Sequence, residues 1–292
     1  MRIRLSRFDR VFVACIYIVL TMFTISFLLP LMQVVTISVS PPEVVNKYGF
    51  HFIPTKFDFS GYKGVFENSS IWVAYKNTIV RTVLATTLTI LLTFMGAYPL
   101  AKKQLPHRKF WTLFIVLTMF FSGGLIPSYL LIKDLGMMNT IWALILPGAI
   151  STYMLLVTRS FLAALPESLE EAAKIDGANE MFILFRIVLP LSMPIIATVG
   201  LYAAVYNWNA WFDSMIYIQD AKKQVLQLVL RNILITGSDP LIEQMTGGNR
   251  QVINTETLKM AVLVVAIFPI LCVYPFLQKY FIQGALIGSV KG

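Results

Sequence analysis

Long apolar runs alternate with short polar stretches along this chain, and the lengths of the runs set the expected elements. Runs at about 11–39, 75–101, 110–132, 139–161, 184–206 and 258–281 each match or exceed the roughly 20 residues that carry a helix across a bilayer. An all-α, polytopic membrane protein with six transmembrane helices is expected, forming one membrane domain over residues 1–292. The first run follows Arg2, Arg4, Arg7 and Arg10 and is about twice as long as the roughly 7–15-residue core of a signal peptide. Pro41 directly after Ser38-Val39-Ser40 is a poor cleavage context, so the run reads as an uncleaved helix that Pro30 can kink. Two polar stretches, 40–75 and 206–257, read as external loops. The first carries turn signals at Pro41-Pro42, Gly49, Pro54, Gly61 and Gly64, with room for one short helix. In the second, Val225, Leu228 and Val229 share one face of an amphipathic helix expected over Lys223–Ile235, and Gly237–Arg250 reads as a flexible polar stretch.

The polar stretch after the fourth run, Leu165–Pro194, is of another kind. Pro166 suits a first helical turn, Glu167, Glu170 and Glu171 place negative charge near the positive end of that helix, and Gly177 offers a C-terminal stop. Leu169, Ala172, Ala173 and Asp176 recur at helical spacing, and the adjacent alanines leave a thin face that another protein's groove can approach. A short docking helix is expected there, after which Pro190 and Pro194 turn the chain directly into the fifth run.

Composition supports a bilayer as the solvent: 57% of residues are hydrophobic and 13% charged. The formal charge of +9 does not point to nucleic acid, because the basic residues collect between apolar runs instead of coating a soluble core. Placing residues 1–10, 102–109, 159–186 and 279–292 in the cytoplasm gives the inner side the denser basic charge, so both termini are expected inside. Cys15 and Cys272 lie within apolar runs and read as small buried hydrophobes. His51 and His107 have no acidic or cysteine partner at metal-ligand spacing and read as loop residues. No Gly-Lys-Ser or Gly-Lys-Thr occurs, so any ATP is handled by another subunit.

Glu171-Ala172-Ala173, Asp176-Gly177-Ala178 and Ile187, Leu189 and Pro190 together resemble the cytoplasmic EAA loop of ATP-binding-cassette importer permeases. Over the whole chain, Asn77-Thr78, the Gly-Ala-Tyr-Pro-Leu of 96–100 and the Lys291-Gly292 ending resemble the carbohydrate-importer branch. More narrowly the chain is similar to permeases for acidic oligosaccharides of the alginate kind. The resemblance implies a non-catalytic subunit of a bacterial cytoplasmic-membrane importer, with Glu170, Glu171, Ala172, Ala173, Asp176, Gly177, Ala178 and Pro190 coupling it to an ATPase over a loop at 165–190. It further implies a heterodimer with a second permease, an ATPase dimer that holds ATP and Mg²⁺, and an extracytoplasmic sugar-binding protein. No cofactor is expected on this chain itself, and membrane lipid and not nucleic acid is its surround.

At the outer end of the fifth run Tyr206, Asn207, Trp208, Asn209, Trp211 and Asp213 interleave aromatic rings with amides and a carboxylate. Such a set suits a sugar, whose faces stack on rings and whose hydroxyls need paired donors and acceptors; an interfacial aromatic belt explains the tryptophans equally well. Arg81, near the outer end of the second run, either contacts a uronate carboxylate or snorkels to the interface. An ion-coupled carrier is the rival class, but it would carry paired ionisable residues inside the spans, where this chain has almost none.

Overall fold

The computed structural model describes residues 7–47, 49–236 and 255–289, and every regular element among them is helical. The helices near the N-terminus are α1 (Arg7–Ser38), α2 (Pro42–Val45), α3 (Ser60–Glu67) and α4 (Ser69–Ala101). Next come α5 (Arg108–Leu117), α6 (Leu125–Asp134), α7 (Trp142–Ile145), α8 (Thr152–Leu162) and α9 (Ser168–Ile175). The remainder are α10 (Glu180–Ile183), α11 (Leu189–Leu191), α12 (Met193–Asn209), α13 (Phe212–Tyr217), α14 (Leu226–Thr236) and α15 (Thr255–Ser289). The polar stretch expected at 237–250 and the Lys291-Gly292 ending lie outside the described residues. Two compact units emerge, one of Met1–Ser69 with Leu230–Phe268, the other of Ser70–Val229 with Pro269–Gly292.

In the first unit α1 is one continuous helix with Pro30 inside it, and none of its most apolar window is buried by the chain. Its end is tied down by polar contacts. The hydroxyls of Ser38 and Tyr62 share a hydrogen bond of 2.8 Å, and the Asp58 N–H donates to the Val39 carbonyl at 2.7 Å. Two short helices, α2 and α3, stand where one was expected. Gly61 lets α3 approach the start of α15, since a Cβ there would sit 3.1 Å from Thr257.

The second unit is organised around α4, which starts six residues before the expected boundary at 75. Its buried residues include Ala74, Thr78, Arg81, Ala85, Thr89, Thr93 and Ala97, while Ile79, Val80, Val83, Leu84, Leu91 and Met95 point outward. That is the reverse of a soluble amphipathic helix. In hydrocarbon, large apolar side chains gain nothing from hiding, whereas small ones let neighbouring backbones close in. The same logic brings α12 to α4 at Gly200, where a Cβ would meet Ile90 at 3.3 Å, and α8 to α4 at Gly96, where a Cβ would meet Leu155 at 2.9 Å.

Among the described residues, three helical stretches are long and apolar enough to cross a membrane, Phe8–Ser38, Ser69–Ala101 and Glu256–Val273, and counting each of two bent pairs as one span raises the number to five. Three of the six runs expected to span the membrane are not single unbroken helices. The third run is divided into α5 and α6 by residues 118–124, where Gly124 adopts φ +85°. Among the described residues, the N–H groups of Phe121, Ser122 and Gly123 have no hydrogen-bond partner. The fourth run bends by 52° between Trp142–Gly148 and α8, at Ser151, whose side chain caps α8. The fifth bends by 84° at Ser192. Pro190 has no N–H and crowds the carbonyl one turn earlier, and the chain answers with a π-helical turn over Leu184–Val188 before α11. Both cysteines, expected to be buried, are exposed on the surface of this chain.

Candidate functional site

The polar stretch between α8 and α10 folds as expected into a short helix, α9, with Glu170 and Glu171 in its first turn. Its end is a glycine-stopped motif. The Gly177 N–H donates to the Lys174 carbonyl at 3.0 Å and the Ala178 N–H to the Ala173 carbonyl at 2.9 Å, with Gly177 at φ +84°. A Cβ on Gly177 would meet nothing within 4 Å, so the glycine is required by the backbone conformation and not by a clash. The two alanines part company: Ala173 is buried in a core with Phe94, Ala97, Leu162, Ile183 and Val188, while Ala172 faces out beside Leu169 and Ile175. Ala178, Ile187 and Leu189 pack against that core from its edge. Pro190 sits in α11, two residues before the Ser192 bend.

Ionic contacts bind α9 to the end of α4. Lys102 pairs with Glu170 and stands 4.0 Å from Glu180, Lys103 pairs with Glu167 at 2.7 Å, and Lys174 pairs with Glu180 at 2.6 Å. The Tyr98 hydroxyl donates to Glu180 at 2.7 Å, and Lys102 lies 4.2 Å above the Tyr98 ring. Glu170, expected to reach a partner, is therefore engaged within the chain, and Glu171 is the exposed carboxylate of the helix. A cavity of about 300 Å³ lies among these groups. Burial lowers the Lys102 ammonium from its ordinary value, and the Lys103 hydrogen bond lowers the Glu167 carboxyl. A carboxyl lowered in this way favours the folded contact above its ordinary range and loses that contribution only as pH falls through the lowered value, so the Glu167–Lys103 pair is intact at neutral pH.

The Gly-Ala-Tyr-Pro-Leu stretch of 96–100 takes on a physical meaning here. Gly96 admits α8, Ala97 fills the core, Tyr98 holds Glu180, and the Leu100 carbonyl accepts from Arg108 Nε at 2.9 Å and Arg159 Nε at 3.1 Å. Asn77 and Thr78 work similarly at the other end of α4. Asn77 Nδ2 donates to the Lys222 and Gln224 carbonyls at 2.8 and 3.0 Å, and Thr78 Oγ1 accepts from the Leu226 N–H at 2.8 Å.

The aromatic and amide cluster does not line one surface. Arg81 is buried, 1% exposed, and its guanidinium is committed to Asp213 through both carboxylate oxygens, with Nη1 at 3.1 Å from Oδ1. It also donates to Asn207 Oδ1 at 3.4 Å, to the Ala210 carbonyl at 3.4 Å and to the Leu144 carbonyl at 3.3 Å. The expectation of a free cation for a sugar carboxylate, or of snorkelling, is corrected: the charge is already neutralised inside the fold. Asn207 and Trp208 are buried, the latter edge-on to Tyr75 at 5.8 Å. Tyr206 and Asn209 are exposed, and Trp211 is half-buried against Phe212.

Residues 69–286 match the family described as the binding-protein-dependent transport system inner membrane component. The chain belongs to this family. The permease is 41% identical to the polygalacturonan/rhamnogalacturonan transport system permease YtcP of Bacillus subtilis, over 97% of this chain and 99% of that one. It is 30% identical to the melibiose/raffinose/stachyose import permease MelC of the same organism, over 82% and 83%. Among solved structures it is similar to a chain of a bacterial ABC transporter that imports the acidic polysaccharide alginate, with a TM-score of 0.87, 29% identity, and coverage of 96% and 100%. The permease is thus the non-catalytic membrane subunit of a carbohydrate ABC importer, and a separate ATPase hydrolyses the ATP. An ATPase and a substrate-binding protein are its partners in general.

Sequence reasoning missed Tyr98, Lys102, Lys103, Lys174 and Glu180 as the residues that tie α9 to the end of α4. Lys102 and Lys103 carried one legible signal, their place directly after an apolar run, and that signal bears on topology and not on partners.

Proposed function

We propose that this permease carries an acidic oligosaccharide of the uronate kind, forming half of the path with a second, related permease, with both termini in the cytoplasm. One observation carries the substrate. A relative matched over nearly the whole chain is named for polygalacturonan, and the solved importer is described by alginate; both are polymers of uronic acids. MelC is named for neutral sugars, so an acidic substrate distinguishes this chain within the family and does not follow from membership of it. Tyr206, Asn209 and Trp211 are the candidates for sugar contact, because their side chains retain exposure, while the buried Asn207, Trp208 and Arg81–Asp213 pair hold the loop behind them.

The pairing with a second permease is supported by the interruption between α5 and α6. Helix α5, at about 1.5 Å per residue over its ten residues, rises about 15 Å, which puts residues 118–124 at about the middle of a 30 Å hydrocarbon core. Free N–H groups at that depth find no partner in lipid, so protein or a water-filled path must cover them. On this reading α9 lies on the inner side and is the helix that faces the ATPase, a placement supported by the basic residues around it, Lys102, Lys103, Arg108 and Lys109.

The permease pair, ATPase and binding protein reconstituted in liposomes test this reading with a galacturonate oligosaccharide and a malto-oligosaccharide of equal length. ATP-dependent uptake of the acidic sugar that the neutral one does not compete away is expected. Preference for the neutral sugar would reject the acidic substrate, and uptake driven by an ion gradient without ATP would reject the coupling.

A further inference from the structure

Helix α9 has a small apolar hold on its surroundings. Ala173 is its buried residue, and Leu165 and Ala178, flanking it, are partly buried against the same core. Apolar contact is non-directional, so it fixes where α9 lies and not how it is turned about its axis. Direction has to come from ion pairs anchored at separate points around the helix.

We propose that Lys102 is a positioning residue that locks α9 in register with the inner end of α4, so that a displacement of α9 is delivered to α4. This rests on the reading of α9 as the helix that faces the ATPase. Lys102 is held from three sides, by Glu170 of α9, by Glu180 at 4.0 Å and by the Tyr98 ring at 4.2 Å. Tyr98 donates to Glu180, and Glu180 also takes Lys174 of α9. A closed circuit results. It runs from Tyr98 in α4 to Glu180, to Lys174, along α9 to Glu170, and back to Lys102 directly after α4. The Lys102 and Glu170 side chains are 23% and 24% exposed, against 74% and 64% for Lys103 and Glu167, so water screens the central pair less than the outer one. Two of the three groups on α9 and α10 that close the circuit, Glu170 and Lys174, lie one helical turn apart on α9, which is the spacing needed to resist its rotation.

The test uses the complete transporter in liposomes, supplied with a galacturonate oligosaccharide and its binding protein. Lys102→Met should lower uptake roughly tenfold, the scale on which a residue between two sites changes their coupling, while the ATPase still co-purifies in parental amount. Lys102→Arg, which keeps the charge and reach, should restore uptake. Combining Lys102→Met with Glu170→Gln should cost no more than the worse single change, because the two groups act as one contact. Parental uptake by Lys102→Met, failure of Lys102→Arg to differ from it, or multiplied losses in the double variant would each overturn the proposal. Failure of the underlying reading would show differently, as absence of a co-purifying ATPase or of ATP-driven uptake in the parental complex.

Discussion

Arg81 concentrates the residue-scale physics of the permease. A guanidinium 1% exposed within a membrane helix is tolerable only because Asp213, Asn207 and two carbonyls surround it. Removing one member of such a pair strands the other, so Asp213→Asn should cost about 3–5 kcal/mol, whereas Arg81→Met with Asp213→Leu should recover part of the loss. Thermal unfolding of the purified complex measures both. Arg81→Gln should lower the maximal rate of uptake of the acidic sugar and leave its half-saturating concentration unchanged; a raised half-saturating concentration would return Arg81 to the sugar path. The charge of Arg81 was legible in the sequence, but its partner was not, since 132 positions separate them and periodicity reports only on neighbours a turn apart.

At the scale of the element, α9 was the most legible feature of the chain. Acidic residues at its start and a glycine at its end are local signals, set by the helix dipole and by the left-handed turn, and neither depends on distant packing. Gly177→Ala should therefore destabilise the end of α9 by about 1–2 kcal/mol through its φ alone, with no steric cost from neighbours. Amide exchange of Ala178 should speed up about fivefold or more in this variant, and unchanged exchange would contradict the strained-backbone account. The broken spans were less legible. Hydropathy counts apolar residues and is blind to direction, so Leu184–Tyr206 scores as one run although Ser192 turns it by 84°. Gly123-Gly124 marked the break in the third run, but Gly is frequent enough in membrane helices that the pair did not outweigh the apolar residues around it.

For the whole molecule, the family and the all-helical fold were accessible from composition and a few motifs, while the internal uses of those motifs emerged from packing. Asn77-Thr78 and residues 96–100 mark the family in the sequence, and in the fold they fasten the two ends of α4. On the proposed reading the ATPase engages the outward face of α9, the side that carries Ala172. Site-directed cross-linking in the assembled transporter tests it most directly, with Ala172→Cys on the exposed side and Ala173→Cys on the buried side of the same helix. Ala172→Cys should cross-link to the ATPase subunit and Ala173→Cys should not. An absence of cross-linking at Ala172 in a complex that hydrolyses ATP and transports, or reaction of Ala172→Cys with a membrane-impermeant thiol reagent added outside intact cells, would contradict it.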